Sequence, residues 1–421
     1  MRLSFSLLAF AVLSFSGVLF AEDVFRFRGD NSQGKFNETG LLDRWPEEGL
    51  TPKWVNSELG EGWSSVIKVK GRLWLACLDS NDPKRESVVC LDLDGKRIWQ
   101  EPVGEIWSKS FPFPRGTPTY VVGESAGDDK LLAYSGAGEL YCLAAADGKY
   151  LWHKDVAGIY ESRPHLWGLG ESVVVKDDKV FVTVGGGKAL AVALNIADGS
   201  EVWTAEPLED DCAYVTPVLY EDCLIVMTKR YVSVIDTKTG QRLSKGDFQE
   251  DSGGKLEWSG NNCNSPLIKG NQLFVSAGAS QGSVMYEILP EGKGLKKLWT
   301  NKVIEPHHHG MVEIDGRIYG CNHGGGQKYG CLDWETGETI YEEAWGNFGN
   351  GAVITADGKL FFYEERRGML ALVKPGDQFE VISSFRFDFG TKEHWPHPVI
   401  SDGVLYVRRG NALAAFDIAK K

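Results

Sequence analysis

The chain has 421 residues and a formal charge of −13, and its 43% hydrophobic and 24% charged residues exclude wholesale disorder. Fifty Gly and 14 Trp against 5 Met exclude a helical bundle or coiled coil, which draw on Ala, Leu, Glu and Lys. Net negative charge with no dense run of Lys and Arg excludes nucleic acid as the main partner, because phosphate binding needs clustered cations.

Residues 1–21 read as a secretory signal peptide. Arg2 gives a basic start, Leu3 to Phe20 form an apolar run broken only by Ser and Gly, and Ala21 precedes the acidic pair Glu22 and Asp23. Retention of the run as an anchor is the competing reading, since about 18 to 20 apolar residues span a bilayer. No second long apolar run follows, so the expected location is periplasmic or secreted, with no membrane span after cleavage. Residues 22–49 are expected to be an N-terminal extension.

From residue 50 onward two pieces recur. Polar turns followed by alternating apolar residues place Leu73, Leu131, Val180, Leu224, Leu273, Ile318, Leu360 and Leu405 at intervals of 42 to 58 residues. Between them runs a second piece, apolar-Leu-Asp-x-x-(Asp/Thr)-Gly-x-x-x-Trp. It appears as Cys90 to Trp99, Cys142 to Trp152 and Ala193 to Trp203, with weaker copies at Val234 to Leu243 and Cys331 to Ile340. Eight short-strand units of this period are the signature of a β-propeller. Each unit parses as strands A to D, with B in the first piece, C ending at Leu-Asp and D carrying Trp. The last unit stops after strand C near Ile418, whereas Pro52 to Asn56 look like a D strand without an A, B or C. The expectation is therefore an all-β, eight-bladed propeller over residues 50–421, its ring closed by the N-terminal strand pairing with the last blade.

The eight Cys include no adjacent pair and no CxxC. Cys90, Cys142 and Cys331 share one repeat position that is Ala193 in another copy, and read as small buried hydrophobes. A disulfide between Cys321 and Cys331 stays open.

The repeat resembles the tryptophan-docking motif of the pyrroloquinoline quinone-like propellers, the superfold of quinoprotein alcohol dehydrogenases and of the propeller lipoprotein of outer-membrane assembly. The stretch Phe27-Arg28-Gly29-Asp30-Asn31, with Glu38 to Leu42 and Trp45-Pro46, is similar to the opening of exported bacterial members. The resemblance implies that Trp54, Trp99, Trp152, Trp203 and Trp299 dock between neighbouring blades. It also implies that an enzyme of this kind would hold pyrroloquinoline quinone over the channel, with a stacking Trp, an Arg, a Ca²⁺ on Glu and Asn or Asp oxygens, and an Asp base. The chain departs from many such enzymes in lacking adjacent cysteines and a haem-attachment motif.

Alternating strand direction sorts the loops onto two rims. A-to-B and C-to-D turns share an acidic rim explained by Asp-Gly turn chemistry. D-to-A and B-to-C connections share the other, where Arg115, His165, Asn262, His308 and His397 are candidates for holding a small anionic ligand or a peptide carboxylate. His308, His323 and His397 are the candidate set for a transition metal. A wet channel mouth that merely tolerates polar groups is the third reading. If His307 to His309 are extended, either His307 and His309 or His308 alone faces inward. Glu209 to Asp211 and the pair Glu364 and Glu365 read as solvated loop charges. No nucleophile elbow, zinc-protease helix or nucleotide fingerprint is present in its required context. Two functions follow: a ligand-binding or scaffold module with a small anionic ligand or an exported protein as partner, or a quinone-dependent oxidoreductase using the same rim.

Overall fold

Strands form where the two recurring pieces place them. A computed structural model describes residues 23–421 apart from 126, 165, 186, 255–261 and 324–325, and its described residues form eight sheets. Seven run A-B-C-D in chain order, as in Val174–Lys176, Lys179–Thr183, Ala191–Asn195 and Glu201–Thr204 of blade 3. The eighth takes Val399–Ser401, Val404–Arg409 and Ala412–Asp417 and is completed by β2 (Pro52–Asn56), which pairs antiparallel with the last strand. This is the ring closure expected from the sequence.

Turn chemistry fixes the hairpins. Lys70-Gly71, Asp315-Gly316, Asp357-Gly358 and Asp402-Gly403 all have positive φ at both residues, the conformation of a two-residue hairpin turn. In all eight sheets the C–D pairing carries a register shift, for example between Ala193 and Leu194. Such bulges bend the outer strand and increase its twist. Beside them lie the docking tryptophans. Trp54, Trp152, Trp203 and Trp299 each donate the indole N–H to a backbone carbonyl of the next blade. They and Trp99 lie against Gly95, Gly199, Gly240, Gly337 and Gly148 of the next blade, where a Cβ would come within 2.4–2.9 Å of the indole. Blade 4 has Leu243 in place of Trp, packed on Gly292.

Residues 23–36, within the expected N-terminal extension, run across the inner edges of the blades. Val24 bridges Lys68 in blade 1, and Phe25 accepts from the Tyr120 N–H in blade 2. Asn31 exchanges two hydrogen bonds with Leu219 of blade 4, and Gln33 holds Pro266 and Ile268 of blade 5. Lys35 pairs with Glu313 of blade 6, and β1 (Lys35–Phe36) adds in parallel to the inner edge of blade 7. The physical reason is that each inner strand offers unpaired backbone groups to the axis, and buried backbone groups need partners.

At the centre is Arg28, 3% exposed and without a carboxylate partner among the described residues. It donates to the carbonyls of Met311 at 2.5 Å, Val353 at 3.0 Å and Ser32 at 3.4 Å, and lies 2.6 Å from His397 Nδ1. Burial lowers its pKa to about 9. A Cβ on Gly34 or Gly310 would meet this guanidinium at 2.2 Å, so both positions must be small.

The cysteines are all free. Cys331 faces Tyr319 across the sheet and Cys321 faces Tyr329, so the Cys321–Cys331 disulfide left open by the sequence does not form.

Blade docking sets the expected stability effects. Replacing buried Trp203 by Ala should cost about 3–5 kcal/mol. Gly240→Ala, at φ 75° and with its Cβ 2.6 Å from Trp203, should cost about 1–3 kcal/mol. Both are measured by equilibrium unfolding in urea, and unchanged midpoints would contradict the docking role.

Candidate functional site

On the His- and Arg-bearing rim the channel mouth opens into a cavity of about 250 Å³. Its floor is Phe27 of the channel segment, whose ring lies 5.2 Å from that of His397. Its walls come from D-to-A connections. These are short irregular segments that enter the inner strands, so their side chains converge on the axis.

Most of the wall is aromatic. Ring contacts run from Trp395 to His308 at 4.8 Å, to His307 at 4.9 Å, to Trp167 at 6.0 Å, to Phe111 at 6.3 Å, and back to Trp395 at 5.7 Å. Trp63 wedges behind, 4.8 Å from Trp395 and 6.0 Å from Phe111. These spacings are those of favourable aromatic pairs. Tyr214, Cys263, Ser172 and Thr216 complete the wall. Burial pushes the Cys263 thiol up to about 12, which leaves it a protonated, weakly nucleophilic group.

Of the residues singled out in the sequence, Arg115, His308 and His397 line this cavity. Arg115 donates its two terminal nitrogens to the carbonyls of Phe111 and Trp167, and its guanidinium lies 5.6 Å from the Trp63 ring centre. It therefore ties two wall segments together as well as making one wall positive. His397 is engaged at both ring nitrogens, by Arg28 at 2.6 Å and by the His308 carbonyl at 2.8 Å. Burial and the Arg28 charge hold it well below its usual pKa. Asn262 is turned away from the ligand space, donating to the carbonyls of Thr228 and Lys229 at 2.8 and 3.0 Å. His165 lies outside the described residues.

The proposed trio of His308, His323 and His397 is not the group that comes together. His397 has no free nitrogen, and His323 packs on His307 with ring centres 4.7 Å apart. The ligand-capable atoms of His308, His309 and Glu365 instead lie within 4.8 Å of one another. Two expectations fail here for one reason. Residues 307–309 form a bend, not a strand, because Asn264 donates to the carbonyls of Pro306 and His307 and accepts the Gly310 N–H. Strand alternation does not apply, so His308 and His309 reach the same carboxylate.

Glu364 and Glu365 are not solvated either. Glu364 is fully buried and accepts from the N–H groups of Gly349 and Arg367. Glu365 is held through its own N–H on the Asn350 carbonyl. It is 3.1 Å from His309 Nε2 and 3.5 Å from His308 Nε2. Burial opposes its charge, but these imidazoles overcome that and hold its pKa well below the usual carboxylate range. Burial alone would lower His309, yet the neighbouring Cys321 and Glu365 raise it above the usual range. His308 is lowered to about 4, first by burial and then by His309. Arg408, at the end of the second strand of blade 8, is buried as a clamp on Ser64, ahead of the first blade's inner strand, and on Ala76 in that blade's second strand.

The aromatic wall went unrecognised in the sequence because Trp was assigned to docking. Trp63, Trp167 and Trp395 all lie outside the repeat position, in D-to-A connections, and that displacement was the available signal.

The architecture defines a propeller of the pyrroloquinoline quinone-like class. The family model described as outer membrane protein assembly factor BamB matches residues 84–326, and the chain belongs to that repeat family. Among solved structures, BamB from Moraxella catarrhalis aligns with a TM-score of 0.64 and 14% identity, over 87% of this chain and 99% of its own. A europium-containing methanol dehydrogenase gives 0.64 and 12%, over 91% of this chain and 89% of its own. Quinohemoprotein alcohol dehydrogenase from Comamonas testosteroni gives 0.63 and 13%, over 95% and 81%. At these identities the likeness is one of fold. No curated protein matches the chain. Among the described residues no helix is long and apolar enough to cross a membrane.

Behind the cavity wall, between the lining residues Gly170 and Ser172, Glu171 is buried and accepts the Thr183 N–H at 3.0 and 3.2 Å. Burial raises its carboxyl pKa to about 8, against 4.5 when unfolded. The folded state then holds a proton that the unfolded state has lost. Stability should fall as pH rises through that window, by up to about 1.4 kcal/mol per pH unit from this group. Glu171→Gln should flatten that part of the profile and gain on the wild type towards pH 8. Unfolding midpoints across the window test this; parallel profiles would contradict it.

Proposed function

We propose that the chain is an exported, non-catalytic binding module whose channel-mouth cavity receives a flat ring of a small ligand or of a partner's side chain. The observation that carries this reading is the closed set of ring contacts through Trp395, His308, His307, Trp167 and Phe111 around one cavity. Aromatic walls bind rings through dispersion and quadrupole contacts at little conformational cost. Arg115 makes the wall positive, which favours a ring that is neutral or carries a carboxylate over a cation. Export rests on the apolar run from Leu3 to Phe20.

The rival reading is a pyrroloquinoline quinone-dependent alcohol or sugar dehydrogenase. Its stacking Trp has counterparts in Trp63 and Trp395. The remaining requirements do not fit the described residues lining the cavity. None is Asp or Glu, so no lining carboxylate is offered to Ca²⁺ or as a base.

Isothermal titration calorimetry with indole-3-acetate should show saturable binding. Trp395→Ala and Phe111→Ala should each weaken it by about two- to tenfold, the worth of one aromatic contact. Equal binding by both variants would remove the cavity from the account. Addition of pyrroloquinoline quinone and Ca²⁺ should give no dye reduction with alcohols or aldoses, and turnover there would favour the dehydrogenase.

A further inference from the structure

Beside the ring-lined wall, the bend before blade 6 and the B-to-C turn of blade 7 bring two imidazoles and one carboxylate to a common point. We propose that His308, His309 and Glu365 form a site for one divalent transition-metal ion, whose open position faces the cavity and takes an oxygen-donor ligand.

Two of the three ligand-to-ligand distances already suit an ion, and the third, between the two imidazoles, lies within 4.8 Å and would shorten on binding. Glu365 Oε2 lies 3.1 Å from His309 Nε2 and 3.5 Å from His308 Nε2. Tetrahedral coordination with bonds of ~2.0–2.2 Å requires ligand atoms about 3.3 Å apart, which those two edges bracket. A plain ion pair between His309 and Glu365 accounts for one edge only. It does not account for His308, whose buried Nε2 turns to the same oxygen without a hydrogen-bond partner.

His309 is also oriented from behind, as metal ligands require, and the backbone carrying the other two is held in place. The other ring nitrogen of His309, Nδ1, lies 3.4 Å from Cys321 Sγ. The Glu365 backbone N–H is held by the Asn350 carbonyl at 2.9 Å. Asn264 pins the bend that makes the two histidines converge. This polar framework would be elaborate for a pair of solvated loops.

Donor chemistry selects the ion. Two imidazole nitrogens and one carboxylate suit Zn²⁺, Fe²⁺ or Co²⁺, whereas Ca²⁺ and Mg²⁺ take shells of oxygen. Three protein ligands leave a coordination position open. His308 lines the cavity, so that position opens towards the ring-binding space. The ligand class that follows is a ring compound bearing a carboxylate or hydroxamate, its ring on the aromatic wall and its oxygen on the metal. That ligand class rests on the ring-binding reading above, but the metal site does not.

The test uses the full chain without an affinity tag, stripped with EDTA and titrated with Co²⁺, with no organic ligand present. The expected result is one Co²⁺ per chain with visible ligand-field bands, displaced by Zn²⁺. His308→Ala and the isosteric Glu365→Gln should each weaken binding by at least about tenfold. His153→Ala, on the exposed outer strand of blade 2, should bind as the wild type. Thermal melts establish that the variants fold. Absence of stoichiometric Co²⁺ in the wild type, or wild-type affinity in folded His308→Ala and Glu365→Gln, overturns the site. Acetohydroxamate added to the Co²⁺ form should shift the bands, and unchanged bands overturn the open position. Because metal is read before any ring compound is added, failure of ring binding and failure of the metal site are separate results.

Discussion

A buried guanidinium held by carbonyls and one imidazole, with no counter-ion among the described residues, holds the centre of this molecule together. Arg28 sits on the propeller axis and finds its acceptors in the carbonyls of Met311 and Val353, on blades 6 and 7, and in His397 before blade 8. Removing a charge from water costs several kcal/mol, so such a group persists only where nearly every donor is met. That requirement fixes the relative positions of three blades and admits only glycine at 34 and 310. It also fixes Phe27, the residue before it in the chain, as the floor of the cavity. The channel segment thus converts a pore into a blind pocket.

The two rims of the ring then have different work. On one, Asp-Gly and related turns repeat from blade to blade and serve closure alone. On the other, the D-to-A connections differ from blade to blade, and difference is what a site needs. Blades 8, 1, 2 and 3 are entered by Trp395, Trp63, Phe111 and Trp167, and blade 6 by the histidine bend. A repetitive scaffold, stabilised elsewhere by its docking tryptophans, can carry this irregular face without each loop having to fold by itself.

What the sequence disclosed was whatever repeats. Leu73, Leu131, Val180 and their counterparts stand at the start of real B strands, and Pro52 to Asn56 close the ring, because β-pairing and turn chemistry are local and recur in every unit. Unique elements were not legible. The channel role of residues 24–36 depends on inner-strand edges more than 300 residues away, such as that of Val353. Glu365 looked like a loop charge because its partners, His308 and His309, are brought to it only by the Asn264-stabilised bend. Trp395 looked like one more tryptophan in a tryptophan-rich chain, although its place between strands D and A set it apart.

The cavity floor and the His397 position both follow from the channel segment being a fixed part of the fold. Amide hydrogen exchange of the full chain measures this directly. The N–H groups of Val24, Gly34, Tyr120 and Thr355, all bonded between the segment and the inner strands or within the segment, should be protected as strongly as amides inside the blades. Rapid exchange at these four positions, with the blade amides still protected, would mean that the floor is not held and would contradict the account.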